Sequence, residues 1–187
     1  MIHSQDRSYY IGASDTSYVI GNWDTKTFEK WYYTKLGLYS IDFESDAMKT
    51  GTAYEHKILS ALNIPGIVFD KQIISGRMRV NLDGNTNECI YECKTINHKP
   101  TKPNKQYINQ VNVQMYASNI RKAIIVFYEV TDTEYKNFYA DIDSSRLTLF
   151  DIPYDKKFVN EIYLPRFNYL SECLDKGVFP RWSLQAK

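Results

Sequence analysis

Long apolar runs, an even set of cysteines and an excess of charge of either sign are all missing from this sequence, and each absence removes a class of protein. The longest purely apolar run is 123–127, five residues, against the roughly 20 that a membrane-crossing helix requires. The opening MIHSQDRSYY has no apolar core of a signal peptide, so a cytoplasmic protein without membrane attachment is expected. Three cysteines, an odd number with no export signal, read as reduced thiols. Cys89 and Cys93 fall in one predicted strand, where four steps of about 3.3 Å separate their Cα atoms too widely for a disulfide. Three thiols also fall short of a four-cysteine zinc or iron–sulfur site. Basic residues number 23 against 22 acids. With no global basic field, contact with nucleic acid must come from a local patch.

What is present is an ordinary globular composition, 43% hydrophobic and 24% charged, with 16 tyrosines among 187 residues. No repeat, low-complexity block or long linker divides it, so 1–187 is expected to form a single domain. Ala13-Ser14-Asp15 leads into a short helix over 16–20, capped by Ser or Asp and stopped by Gly21. A second helix is predicted over 25–36, capped by Asp24, and a third over 46–62. The period then changes from helical to alternating. Strands are predicted over 67–74, 77–83 and 88–95, then a helix over 105–118. The run 123–130 reads as a strand covered on both faces. Weaker strands are expected over 138–142 and 146–150, and a closing helix over 154–176, kinked at Pro165 and ended by Gly177. Helices, strands, a helix, more strands and a helix give an α/β architecture with a mixed central β-sheet flanked by helices.

Alternate strand residues share a face, so Glu92 and Lys94 point the same way, and Asp83 ends the preceding strand on the polar face with Arg77, Arg79 and Asn81. Two carboxylates suit a hard cation such as Mg²⁺ or Mn²⁺, and an ammonium beside them can offset charge developing on a phosphate. The same spacing also marks the solvated face of any hairpin. On the third helix Glu55 falls in register with Ile58, Leu59 and Leu62, where an ionised carboxylate is costly unless paired or bound to metal. Gly51, one turn earlier, removes bulk beside it; snorkelling to water would serve Glu55 equally well. Gln110 and Gln114 share a helix face, with Tyr107 one turn before. They can hold phosphate oxygens, or be ordinary surface amides. The segment KTINHKPTKPNK carries Lys94, Lys99, Lys102 and Lys105 and no acid. It suits a phosphate backbone, although a solvated loop accounts for the same charges.

In order, Gly12-Ala13-Ser14-Asp15, Gly51-x-x-x-Glu55, Asp83-Gly84, Glu92-x-Lys94 and Gln110-x-x-x-Gln114 resemble the phage lambda exonuclease and YqaJ-like viral recombinase branch of the PD-(D/E)XK nucleases. The resemblance runs from about Arg7 to Ser118. It implies a restriction-endonuclease-like core and metal-dependent hydrolysis of DNA, with one or two Mg²⁺ or Mn²⁺ ions held by Asp83, Glu92, the main-chain carbonyl of Cys93 and Glu55. By the same resemblance Lys94 assists the attacking water, Gln110 lies against the substrate, and Ser14 with Arg7 lines a pocket for a terminal 5′-phosphate. Arg77, Arg79, Lys99, Lys102 and Gln114 complete the expected nucleic-acid-binding set.

Cys93 stands where an aliphatic residue is usual, and the tryptophan that often precedes the early Arg is absent. The expected activity is an exonuclease degrading duplex DNA from a 5′ end in phage-type recombination. A ring-shaped trimer and a single-strand annealing recombinase are its expected partners. The alternatives are a nicking or structure-specific endonuclease on the same fold, and a non-catalytic nucleic-acid-binding module; clustered carboxylates argue against the module because without metal they repel phosphate.

Overall fold

A computed structural model describes residues 8–39, 45–135 and 137–181. Six strands, β1 (Ile11–Gly12), β2 (Val68–Ser75), β3 (Met78–Asn85), β4 (Ile90–Ile96), β5 (Lys122–Glu129) and β6 (Leu147–Pro153), form one sheet in the order β1-β3-β4-β5-β6, with β2 paired to β3. β1/β3 and β4/β5 are parallel, while β3/β4 and β5/β6 are antiparallel. The sheet is therefore mixed, as expected. No helix among the described residues is long and apolar enough to cross a membrane.

The chain divides into two compact units. One comprises the described residues within 45–72 and 81–154; the other comprises those within 8–39, 73–80 and 155–181.

In the first of these, α3 (Asp46–Ala61) starts at Ser45, whose hydroxyl accepts from the Met48 N–H at 3.2 Å. Its buried Tyr54, Ile58 and Leu59 pack with Tyr91, Cys93, Val126 and Tyr128. Parallel strands need a crossover, and α4 (Lys105–Ser118) supplies it between β4 and β5. Close packing demands a glycine at Gly84, where an added Cβ would stand 2.9 Å from Leu59 Cδ2 and 3.0 Å from Ile67 Cδ1. At Gly51, expected to make room for Glu55, a Cβ would meet only Thr95 Oγ1 at an ordinary 3.8 Å.

The strand expected over 138–142 is absent. Phe138, Ala140 and Ile142 do pack against the core, but helix side chains satisfy the carbonyls of this segment. Tyr54 Oη donates to Asn137 O at 2.7 Å, and Lys57 Nζ to Phe138 O at 2.8 Å and Ala140 O at 2.9 Å. The three cysteines are buried and free.

In the second unit a 3₁₀ turn over Ala13–Asp15 runs into α1 (Thr16–Ile20). Asp15 acts from the third position of that turn, its Oδ2 accepting the Gly12 N–H at 2.9 Å. Gly21 ends α1 without a left-handed conformation; a Cβ there would lie 2.5 Å from Ser17 O, and Arg166 donates to Val19 O and Gly21 O instead. α2 (Lys26–Lys35) is capped by Thr25, not Asp24. The closing helix is a π-helical stretch over Phe158–Tyr163 that runs without a break into α5 (Leu164–Lys176); Pro165 stands just past this junction, where the widened π turn accommodates a residue that cannot donate its own backbone bond.

Candidate active site

Antiparallel pairing of β3 with β4 sets Gly84 opposite Tyr91 and Asn85 opposite Ile90. One residue further along, the side chain of Asp83 bridges the strands: its Oδ2 accepts the Cys93 N–H at 2.8 Å. Glu92 and Lys94, two apart on β4, share a face, and Lys94 Nζ lies 2.5 Å from Glu92 Oε1. α4 brings Gln110 and Gln114 onto the same carboxylate. Gln110 Nε2 donates to Oε1 at 2.5 Å and Gln114 Nε2 to Oε2 at 2.6 Å. Gln114 Nε2 also reaches Asn81 O at 3.2 Å. Glu92, only 1% exposed, thus takes three donors of the roughly four its carboxylate can accept. Tyr107 presents its ring 5.2 Å from Lys94 Nζ, a cation–π contact that adds to the hold on the ammonium.

Electrostatics joins Glu55 to this group. Burial pushes the half-buried Glu55 carboxyl above its ordinary pKa, and Glu92 and Asp70 push it further. Asp83 is driven well up by burial and then by Glu92 and Glu55, against the smaller opposing pull of Lys94 and the Cys93 N–H. Burial works against the Lys94 ammonium, yet Glu92 and Asp83 hold its pKa above the usual lysine value. The Cys93 thiol is pushed well up by burial and by the same three acids, so it stays protonated. Three carboxylates therefore face one ammonium, a surplus of negative charge that protons or a cation must relieve.

The structure thus brings Glu55, Asp83, Glu92, Lys94 and Gln110 into one neighbourhood. Gln114, expected to face nucleic acid, is instead buried at 1% exposure and spent on Glu92. Lys99 and Lys102 are exposed in the loop between β4 and α4. In the other unit Ser14 is exposed on its 3₁₀ turn, and Asp15 beside it is taken by Lys35 at 2.8 Å and Trp31 Nε1 at 3.0 Å. Arg77 and Arg79, also expected to meet nucleic acid, turn inward. Arg77 pairs with Asp175, donates to Tyr9 O and stacks 4.2 Å over the Tyr9 ring; Arg79 is buried with its guanidinium 5.8 Å from the Tyr10 ring. Arg7 lies outside the described residues.

Sequence reasoning missed a neighbour of Glu55. Among the described residues, the one group of His, Cys, Asp and Glu ligand atoms all within 4.8 Å of one another is Glu55, His56 and Asp70. His56 was visible beside Glu55, but nothing local ties Asp70 to either.

No protein-family profile matches the sequence, and no characterised protein matches it by sequence. Solved structures do resemble it. An alkaline exonuclease from Laribacter hongkongensis superposes with a TM-score of 0.68 at 20% identity, covering 92% of this chain and 91% of that one. The same enzyme in complex with dAMP gives 0.64 at 18%, covering 91% and 92%. A phage-related exonuclease from Haemophilus somnus 129PT gives 0.64 at 14%, covering 92% and 97%. The chain therefore has the restriction-endonuclease-like α/β fold that these exonucleases share.

Proposed function

We propose that this chain is a divalent-metal-dependent deoxyribonuclease that degrades duplex DNA from an end, in the 5′ to 3′ direction, in phage-type recombination. The observation that carries the reading is the Glu92–Lys94 pair with the Asp83 carboxylate on the Cys93 N–H between them and Glu55 electrostatically linked to both acids, on a fold it shares with exonucleases. One of those structures holds dAMP, a nucleotide of the kind an exonuclease releases.

The donor set fits a hard ion, Mg²⁺ or Mn²⁺, one or two in number. Carboxylate oxygens of Asp83, Glu92 and Glu55 with the main-chain carbonyl of Cys93 are the ligands such ions prefer; burial first, and then the neighbouring acids, push Asp83 and Glu55 up, and an ion bound among them would favour their charged forms. When bound, such an ion neutralises the phosphodiester and polarises it toward hydrolysis.

The chain's own residues do the rest. Lys94 stays protonated, so it can donate to a phosphate oxygen, offset charge developing there and orient the attacking water. Gln110 and Gln114 grip both oxygens of Glu92, so the carboxylate keeps its orientation when Lys94 turns to substrate. Exposed Lys99 and Lys102 offer charge to backbone phosphates. Ser14 is the candidate for a terminal 5′-phosphate, with Arg7. A single functional domain over 1–187, a cytoplasmic location, a ring-shaped homo-oligomer and an annealing recombinase partner belong to the same proposal.

The test is digestion of end-labelled linear and closed circular duplex DNA with Mg²⁺ and with EDTA. Mononucleotide release from the 5′ end of linear DNA, only with Mg²⁺, is the expected result. Cutting of closed circles would make the chain an endonuclease on this fold. No degradation, with no detectable Mg²⁺ or Mn²⁺ binding, would leave a DNA-binding module.

A further inference from the structure

We propose that Glu55, His56 and Asp70 form a second cation site, one that takes a borderline transition ion such as Zn²⁺ in preference to Mg²⁺. Glu55 and His56 are consecutive on α3, and Asp70 lies on β2. One oxygen of each carboxylate and one ring nitrogen stand within 4.8 Å of one another, and His56 Nε2 is 2.9 Å from Asp70 Oδ2. Donor atoms around a tetrahedral ion at about 2.1 Å sit roughly 3.4 Å apart, so the set needs only a small closure. Two of the three side chains that would make it face solvent, His56 being 54% and Asp70 61% exposed.

The imidazole separates this group from a patch of surface acids. Nitrogen donors suit Zn²⁺, Ni²⁺ and Cu²⁺, whereas Mg²⁺ asks for oxygen. Stacking on Phe69, with ring centroids 5.2 Å apart and planes at 30°, restrains the orientation of the His56 ring. Two carboxylates lie beside it, so the group offers a cation two oxygen donors and one nitrogen.

Glu55 is shared between this group and the cluster of Asp83 and Glu92. An ion held by His56 and Asp70 competes for it, so Zn²⁺ at this place inhibits Mg²⁺-supported cleavage; that consequence, unlike the binding itself, rests on the nuclease reading.

The experiment titrates ZnCl₂ and MgCl₂ separately into the full chain, following heat by calorimetry and the ring resonances of the three histidines by NMR. Wild type is compared with His56→Gln, Asp70→Asn and Asp83→Asn. Asn is chosen at Asp70 because φ there is 55°, a left-handed value that Asn tolerates. Zn²⁺ should shift the His56 ring resonances and Mg²⁺ should leave them unmoved. His56→Gln and Asp70→Asn should each weaken Zn²⁺ binding at least about tenfold, and Asp83→Asn should retain it. Undiminished Zn²⁺ affinity in His56→Gln, or its loss in Asp83→Asn, overturns the site. In the digestion assay, equimolar Zn²⁺ should inhibit wild type and spare His56→Gln. If no DNA is degraded under any condition, the nuclease reading fails while calorimetry and NMR still decide the site.

Discussion

Gln114 donates its side-chain Nε2 to Oε2 of Glu92 at 2.6 Å, and both side chains are cut off from solvent. An amide one helical turn beyond Gln110 thus ends up behind the acid, not in front of it. The helix face that puts the two glutamines in line serves to clamp a carboxylate by both oxygens.

Replacing Gln114 with Leu keeps the volume and removes the donor. Glu92 Oε2 then loses a hydrogen bond inside a closed site, at a cost of about 1–3 kcal/mol in stability. Groups that orient a metal-binding carboxylate typically account for about 10–100-fold in activity or metal affinity, and a loss of that size in Mg²⁺-dependent cleavage is expected. DNA affinity measured by fluorescence anisotropy in EDTA should not change. Weakened DNA binding with undiminished turnover would return Gln114 to the substrate surface.

Lys94→Met removes the ammonium 2.5 Å from Glu92 Oε1. Cleavage should vanish with the fold retained. Because the acid is left without its counter-charge, urea unfolding in EDTA should show a destabilisation of roughly 3 kcal/mol. Mg²⁺ should recover part of that loss by supplying the missing charge. Wild-type digestion by this variant would reject the nuclease assignment.

Much of the site was legible because it rests on two periodicities. The period of two placed Glu92 and Lys94 together, and the period of 3.6 placed Glu55 on the apolar side of α3 and aligned Gln110 with Gln114. Neither period says what lies on the far side of a residue. Periodicity alone therefore turns Gln114 toward nucleic acid when it faces Glu92, and places Arg77 in the nucleic-acid-binding set although Asp175, 98 residues later in the chain, holds it. The alternation of Phe138, Ala140 and Ile142 was real burial, yet it did not make a strand, because Tyr54 and Lys57 answer the backbone carbonyls. Helix boundaries shifted for a similar local reason, with the Thr25 hydroxyl capping α2 where Asp24 was expected.

Behind the turn that follows β5, Glu134 is gripped by Arg146 through two contacts of 2.6 Å and accepts from Tyr128 Oη at 2.7 Å and the Thr131 N–H at 2.7 Å. The Arg146 hydrogen bonds, opposed by burial, hold its carboxyl down at about 2. A folded-state pKa lowered in this way contributes its full stabilisation above the ordinary glutamate range and loses it progressively as pH falls from there to about 2, so its contribution is constant near neutrality. Removing the guanidinium strands a buried acid. Arg146→Ala should cost about 3–5 kcal/mol in chemical denaturation, and Glu134→Gln should cost less because it removes the charge with the need for a partner.

The opposite sign governs Asp83 and Glu55. Their folded-state pKa values are raised, while in the unfolded chain they ionise near about 4. As pH climbs from there toward the raised values, the unfolded state gives up its protons first and folding stability falls. In EDTA the melting temperature of the wild type should therefore decline, relative to Asp83→Asn, as pH climbs above about 4, since the variant has no proton to lose at that position. With saturating Mg²⁺ the decline should flatten, because an ion that binds the deprotonated acids draws strength from the same rise in pH. Parallel melting curves for the two proteins in EDTA would show that Asp83 is an ordinary solvated carboxylate, and the case for a charged, ion-seeking cluster would go with it.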